Sequence, residues 1–257
     1  MTDLILQENP APGVRLLRIN RPEARNALNT PLRKALADAF AQAMQAPDLR
    51  AIILTGDERT FVAGADLREF ATMSTTDIAK VDMRETWGVI AACPLPVIAA
   101  IRGFALGGGL ELAMHADIII AGEGAKLGQP EINVGIMPGG GGTQRLVRAV
   151  GKFRAMKMLL TGQPVSGREA FEMGLVSEVA EDEQVLPRAI EMATRIASLP
   201  PLAARRIKEV VLGGADAPLE TGIMLERRAF ETLFDTADKA EGMAAFLEKR
   251  PARFKGE

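Results

Sequence analysis

The sequence of 257 residues predicts an α/β protein with a largely parallel sheet that is covered on both faces. Two observations support this fold class. Over roughly the first 150 residues, short apolar runs that suit buried strands alternate with stretches that suit helices. The runs Ala51–Thr55, Pro96–Ile101 and Asp117–Ala121 are almost continuously apolar, as expected for strands buried on both faces.

Local signals define the first elements of the chain. Leu4–Gln7 and Val14–Asn20 are expected to form a hairpin across Asn9–Gly13, a segment rich in proline and glycine. Thr30 is the expected N-cap of a helix that has Pro31 at its first position. The apolar face of this helix consists of Leu32, Leu36, Phe40 and Met44.

Three further elements are expected in the middle of the chain. Phe61–Asp66 forms a turn that leads into a helix, and a longer helix covers Thr76–Ala92 and stops before Pro94. Gly107 lies at the start of another helix, which continues to about Ala116.

After Gly142 the sequence becomes mainly helical, and only Leu175–Val179 has the composition of a strand. The expected helices are Thr143–Val150, Phe153–Leu160, Arg168–Met173, Val185–Ser198, Leu202–Val211, Pro218–Phe234 and Thr236–Lys249. We place a domain boundary near residue 195, just before Leu199-Pro-Pro201. It divides the chain into a core of residues 1–195 and a helical region of residues 196–257.

The composition excludes several classes of function. The formal net charge of −2 argues against a nucleic-acid-binding surface. A single cysteine and a single histidine exclude an internal disulfide, a thiolate zinc cluster and a multi-histidine metal site, although a magnesium site made of carboxylates stays open. Charged residues interrupt the most apolar stretch, Pro94–Ala121, and no signal peptide is recognisable. We therefore expect a cytoplasmic protein without a membrane span.

Glycine residues precede a carboxylate in Ile101–Leu112. Gly107, Gly108 and Gly109 leave the backbone bare at a helix start, where free N–H groups and the helix dipole favour an anion. Glu111 follows three residues after Gly108, so its carboxylate stands near these N–H groups. On spacing alone, a tight turn with a capping glutamate explains the pattern equally well.

Glu131 is a second candidate, in the segment Leu127–Gly135. It follows a proline and precedes apolar residues, so it could be partly buried and shifted toward its protonated form. An ordinary surface carboxylate is the alternative. Glu111 and Glu131 are twenty residues apart with a strand between them, so they could converge as a general acid and a general base. The spacing does not prove that they do.

Other patterns are less specific. Phe61–Arg68 contains a turn of small residues, which either frees a backbone N–H for a ligand or merely packs in the core. The four glycines in Met137–Arg145 match neither a dinucleotide-binding nor a phosphate-binding loop. No serine lies in a G-x-S-x-G motif, which argues against a serine hydrolase. Cys93 and His115 are interpreted as structural residues.

Five motifs in order resemble the enoyl-CoA hydratase/isomerase (crotonase) family. They are Asn20–Leu28, Phe61–Leu67, Gly103–Glu111, Gly128–Glu131 and Pro138–Leu146. The resemblance covers nearly the whole chain and includes its Phe254-Lys-Gly256 ending. It implies a crotonase-like spiral of ββα and βαβ units with a C-terminal helical region that mediates trimerisation. The implied assembly is a homotrimer or a dimer of trimers.

The resemblance also implies roles for individual residues. The N–H groups of Ala65 and Gly108 match the oxyanion hole, and Glu111 and Glu131 match the two catalytic glutamates. The implied substrate-binding residues are Ala24, Arg25, Ala27, Ala63, Ala65, Asp66, Leu67, Arg68 and Gly108, together with Phe254 and Lys255, which are expected to reach a neighbouring subunit's CoA.

The implied reaction is hydration of the C2–C3 double bond of a 2-enoyl-CoA thioester. No separate cofactor is expected, because coenzyme A is part of the substrate. Both glutamates are present, which favours hydration over the Δ3-Δ2-enoyl-CoA isomerisation that is the nearest alternative. A non-catalytic, RNA-binding member of the same fold is a second alternative. Two runs, Arg25–Leu28 and Gly135–Gly139, resemble family members of phenylacetate degradation, which act on an unsaturated dicarboxylic acyl-CoA.

Overall fold

A computed structural model describes residues 3–81 and 83–257, with the side chains of residues 83–85 excepted. The chain forms two sheets with helices around them, which confirms the predicted α/β class. The strands are β1 (Ile5–Ala11), β2 (Val14–Ile19), β3 (Ala51–Thr55), β4 (Thr60–Val62), β5 (Val97–Ile101), β6 (Phe104–Leu106), β7 (Ile118–Gly122), β8 (Lys126–Gly128), β9 (Val165–Ser166) and β10 (Glu178–Ala180). The helices are α1 (Thr30–Gln45), α2 (Leu67–Phe70), α3 (Thr75–Lys80), α4 (Met83–Ala91), α5 (Gly108–Ala113), α6 (Gly142–Val150), α7 (Lys152–Thr161), α8 (Gly167–Glu172), α9 (Val185–Ala197), α10 (Pro201–Gly214), α11 (Leu219–Leu233) and α12 (Ala237–Leu247).

The larger sheet has six strands in the order β1-β2-β3-β5-β7-β10, and only β1 and β2 are antiparallel. Helix α9 covers one face, where Ala189 packs with Ile53 and Ile98. The opposite face belongs to a separate core cluster that includes Leu54 of β3 and Phe40 of α1. The expectation of a parallel sheet that is buried on both faces is therefore confirmed.

The smaller sheet has four strands in the order β4-β6-β8-β9. Strands β4, β6 and β8 run parallel, and β9 is antiparallel to β8. The sequence did not predict this sheet. Its strands are two or three residues long, too short to show the alternation by which strands are recognised.

The structure corrects several element boundaries. Strand β1 continues through Pro10, so the hairpin turn is confined to the two residues after Ala11. The single helix expected over Thr76–Ala92 is two helices, α3 and α4, because Val81 leaves the helical conformation with ψ of 92°; residue 82 lies outside the described residues. Helix α5 ends at Ala113, earlier than expected.

The strand predicted at Leu175–Val179 is displaced. Strand β10 begins at Glu178, and Leu175 and Val176 pack in the main core instead. The apolar character of Leu175 and Val176 made the segment resemble a strand, but it serves packing in the core and not pairing in the sheet.

The C-terminal helices differ from the core in their burial. No residue of α10 or α11, both described in full, is buried. Residue 195 lies in the last turn of α9, and α9 packs on the larger sheet. The division of the chain into two regions at residue 195 stays a prediction. In the described part of the chain, no helix combines the length and apolar character needed to cross a membrane.

Candidate active site

Three neighbouring parallel strands bring the candidate residues to one place. Because β4, β6 and β8 run in the same direction, their carboxyl ends meet at one edge of the smaller sheet. Ala65 follows β4, Gly108 follows β6 and Glu131 follows β8, while Glu111 lies in the first turn of α5. All four residues line a cavity of about 510 Å³.

The two backbone donors expected from the sequence are close together. A Cβ placed on Gly108 would lie 3.6 Å from the nitrogen of Ala65 and 3.9 Å from Oε2 of Glu111. Gly108 is the first residue of α5, so its N–H has no partner within the helix. Among the residues that the structure describes, neither N–H donates a hydrogen bond to the protein. Both groups are thus free for an anion or a polarised carbonyl oxygen.

Glu111 is a buried carboxylate with one fixed and one free oxygen. Glu111 is only 3% exposed. Its Oε1 accepts hydrogen bonds from the N–H groups of Gly140 (2.7 Å) and Gly142 (2.8 Å). Burial raises the pKa of Glu111, and the two N–H donors act against this rise. The N–H groups of Gly140 and Gly142 therefore stabilise the ionised form of Glu111 in the cavity.

Glu131 has a different environment. Burial, with a smaller contribution from the charge of Glu111, raises the pKa of Glu131 to about 7. The side-chain amide of the fully buried Gln129, oriented with its nitrogen toward Glu131, donates to both carboxylate oxygens at 3.0 and 3.1 Å. These bonds favour the ionised form and oppose the rise. A carboxyl group that titrates near neutrality can both give and take a proton.

The loop residues expected to bind the substrate form a second, smaller cavity. It measures about 230 Å³, and its lining consists of Glu23, Ala24, Ala27, Ala65, Asp66, Leu67 and Arg68. Ala65 lines both cavities, so the two are neighbours.

Backbone hydrogen bonds join the two loops that form the smaller cavity. The N–H of Ala63 donates to the carbonyl of Arg25 at 3.1 Å, and that of Leu28 donates to Gly64 at 2.8 Å. Arg25 and Ala63 thus hold the loops together through their backbones but are absent from the lining of either cavity.

The structure does not bring Phe254 and Lys255 to this place within one chain. The carbonyl of Phe254 accepts a hydrogen bond from Arg50, and the N–H of Lys255 donates to Asp238. Arg50 precedes β3, so the tail lies by the amino ends of the large-sheet strands, whereas Ala24 follows the carboxyl end of β2. Their expected contact with a neighbouring subunit's CoA stays a prediction.

Sequence reasoning missed four residues that line the cavity or hold its carboxyl groups. Gln129 is part of a quoted motif but was given no role, although it contacts Glu131. Gly140 and Gly142 were noted only as unusual backbone, although their N–H groups hold Glu111. Trp87 also lines the cavity, and the only sequence signal for it is that the chain has a single tryptophan.

The side chains of the cavity suit proton transfer. Within residues 3–81 and 83–257, no group of three or more His, Cys, Asp or Glu side chains could hold a metal ion. The cavity instead combines two carboxyl groups with two free backbone donors. Such a set can stabilise negative charge on an oxygen while protons are added and removed nearby.

Comparison with known proteins gives a consistent result. Residues 10–257 match the family model described as enoyl-CoA hydratase/isomerase. The chain is 45% identical over 241 residues to a probable enoyl-CoA hydratase of Mycobacterium tuberculosis, with 94% of each chain covered. It is 41% identical over 256 residues to the 2,3-dehydroadipyl-CoA hydratase of Escherichia coli, with 100% of each covered. The enoyl-CoA hydratase structure from Bacillus anthracis superposes with a TM-score of 0.95 at 40% identity, covering 99% of this chain and 100% of that one.

Replacing Glu131 by Gln should change stability in a pH-dependent way. The folded pKa is about 7 against an ordinary 4.5, so the wild-type protein loses stability as pH rises between these values, because the ionised group is partly desolvated. At about pH 8, Glu131→Gln should have a free energy of unfolding higher by ~1–2 kcal/mol, a figure reduced for partial exposure. Urea unfolding at about pH 5 and pH 8 measures the difference. Glu172→Gln, an exposed change in α8, is the control; a difference that does not vary with pH would contradict the burial argument.

Proposed function

The chain belongs to the enoyl-CoA hydratase/isomerase family, and we propose that it adds water across the C2–C3 double bond of a 2-enoyl-CoA thioester to give the 3-hydroxyacyl-CoA. One observation carries this proposal. Two carboxyl groups in different environments, Glu111 and Glu131, share a cavity with two free backbone N–H groups. Hydration of a conjugated thioester needs both kinds of group.

The free N–H groups of Ala65 and Gly108 act on the thioester oxygen. When water attacks C3, electron density moves through the conjugated system onto the carbonyl oxygen. Two fixed donors stabilise that charge more in the transition state than in the substrate. Loss of one such donor costs about 3–4 kcal/mol in comparable acyl systems. The oxyanion hole thus supplies a large part of the rate enhancement.

The two glutamates divide the proton transfers. Ionised Glu111, held by the N–H groups of Gly140 and Gly142, removes a proton from the water whose oxygen bonds to C3. Protonated Glu131, whose pKa lies near 7, gives its proton to C2. The elements of one water molecule are then added, and a proton exchange between the carboxyl groups and solvent restores the starting state.

The smaller cavity suits the coenzyme A portion of the substrate. Its lining combines the small residues Ala24 and Ala27 with Asp66, Leu67 and Arg68, and its shared wall at Ala65 lets a thioester pass from one cavity into the other. Coenzyme A enters as part of the substrate, so the reaction needs no separate cofactor. Phe254 and Lys255 would contribute to the CoA site of a neighbouring subunit.

We also assign the C-terminal helices to subunit assembly, as a homotrimer or a dimer of trimers. Helices α10 to α12 expose large apolar side chains: Ile207, Val211, Leu212, Leu219, Ile223, Met224, Phe230, Met243, Phe246 and Leu247. So many exposed apolar residues on three successive helices are typical of a surface that is covered by another copy of the chain.

An unsaturated dicarboxylic acyl-CoA is the substrate class that we favour. The support is the full-length similarity to the Escherichia coli 2,3-dehydroadipyl-CoA hydratase. In addition, Arg33 lines the main cavity beside the apolar side chains of Phe70 and Ile78. Its guanidinium already lies 3.4 Å from the carboxylate of Glu69, so a second carboxylate from the substrate would share it.

The test of hydration is the Glu111→Gln variant. Removing the base should lower the hydration rate of crotonyl-CoA by about 10³-fold, while the affinity for saturated butyryl-CoA stays within a fewfold, because binding does not need proton removal. The loss of conjugated absorbance measures the rate. Turnover near the wild-type value would refute the assignment of Glu111. A wild-type protein that converts 3-enoyl-CoA but does not hydrate crotonyl-CoA would be an isomerase.

The substrate class is tested by comparing two thioesters of equal chain length. We expect kcat/KM for 2,3-dehydroadipyl-CoA to exceed that for hex-2-enoyl-CoA by about tenfold, which corresponds to a single charge-assisted contact of about 1.4 kcal/mol. The same absorbance assay gives both values. Equal values, or a preference for the monocarboxylic thioester, would exclude a dicarboxylic specificity while leaving the hydratase proposal intact.

The assembly is tested by sedimentation of the purified protein. We expect the wild-type protein to sediment at three or six times the mass of one chain, and Ile223→Asp in α11 to lower that mass, since a carboxylate in an apolar interface has no partner. Glu209→Gln, an exposed polar change in α10, serves as the matched control. A monomeric wild-type protein would contradict the proposed interface.

A further inference from the structure

Trp87 is a buried donor without an acceptor at the wall of the main cavity. It is the only tryptophan of the chain, it is 6% exposed, and it lines the same cavity as Glu111. In the part of the chain that the structure describes, its Nε1–H has no hydrogen-bond partner and is closed to solvent. Leaving a buried donor unpaired lowers stability by about 1–3 kcal/mol. This cost indicates a functional reason for the unpaired donor beside Glu111.

The free oxygen of Glu111 is the acceptor next to this donor. A Cβ placed on Gly140 would lie 2.6 Å from Oε2 of Glu111 and 2.9 Å from Nε1 of Trp87. The two atoms therefore border the same small space and are no farther apart than the sum of these distances. Oε1 is already held by two backbone N–H groups, so Oε2 is the oxygen that the indole can reach.

His115 supports the indole ring of Trp87. The two rings stack with centroids 5.3 Å apart and planes 15° apart. Nδ1 of His115 lies 2.8 Å from the backbone carbonyl of Glu111, and since a carbonyl only accepts, Nδ1 carries the proton. Burial lowers the pKa of His115 to about 4, so the ring is neutral at ordinary pH. Trp87 is thus held by a residue one helical turn from Glu111.

We propose that Trp87 is a positioning residue for Glu111: a small shift of either side chain brings its indole N–H, which has no acceptor among the described residues of this structure, onto Oε2 of the ionised carboxylate and orients that carboxylate for the reacting water, with His115 as the support. The inference rests on the proposed role of Glu111 as the base. Oε2 has two lone pairs, so it can accept from the indole with one and from the water with the other. The bond is stronger to the ionised carboxylate than to the neutral acid, and it therefore favours the ionised form of Glu111.

Trp87→Phe separates this role from simple packing, because phenylalanine keeps the stacked ring and removes the N–H. We expect kcat for crotonyl-CoA to fall about tenfold with KM within twofold. We also expect the acidic limb of the kcat/KM profile to move to higher pH, since ionised Glu111 loses a donor. Ile90→Val, a core change one turn along α4, is the control for packing and should leave the limb in place.

A second measurement does not depend on the fold of a Trp87 variant. Because the chain has one tryptophan, ¹⁵N labelling of tryptophan gives a single indole N–H signal. In the wild-type protein this signal should titrate together with the acidic limb, and in Glu111→Gln it should not titrate. A flat signal, or a Trp87→Phe limb that coincides with the wild type, would overturn the role of Trp87. Full hydration by Glu111→Gln would instead overturn the proposed function on which this role rests.

Discussion

The parallel pairing of β4, β6 and β8 is the constraint on which the candidate active site depends. Ala105 of β6 pairs with Val62 on one side and with Leu127 on the other, so the loops after the three strands start side by side. This pairing requires α5 to lie tightly against β4. A side chain at Gly109 would collide with the carbonyl of Val62. The glycines at the start of α5 therefore serve packing as well as the exposure of a free N–H.

Burying two carboxyl groups in one cavity costs free energy, and the structure lowers that cost in a different way for each group. Glu111 receives two backbone N–H groups, which are rigid donors that need no reorientation. Glu131 has the amide of Gln129, but burial, with a smaller contribution from the charge of Glu111, raises its pKa. The resulting difference in proton affinity is what the proposed division into a base and an acid requires. The proposed chemistry thus depends on unequal support of two similar side chains.

The sequence predicted five of the six strands of the larger sheet and the two glutamates that the structure places in one cavity, because long apolar runs and ordered motifs are strong local signals. It could not predict what depends on distant contacts. The bond from Gly140 to Glu111 joins residues that are far apart in the chain, and the stack of Trp87 on His115 links α4 to the turn after α5. The strands of the smaller sheet are too short to carry a pattern. The proposed role of Phe254 would involve a second chain, which no local pattern of one sequence describes.

The run of four glycines shows how the same physics can serve different ligands. In nucleotide-binding loops, bare backbone lets N–H groups surround a phosphate. Here the sequence fits no such loop, yet the N–H groups of Gly140 and Gly142 surround an anion all the same, the carboxylate of Glu111. A Cβ at either position would lie within 3.0 Å of that carboxylate and would displace it or itself. Gly140 and Gly142 are therefore explained by the need to hold a buried carboxylate that belongs to the protein.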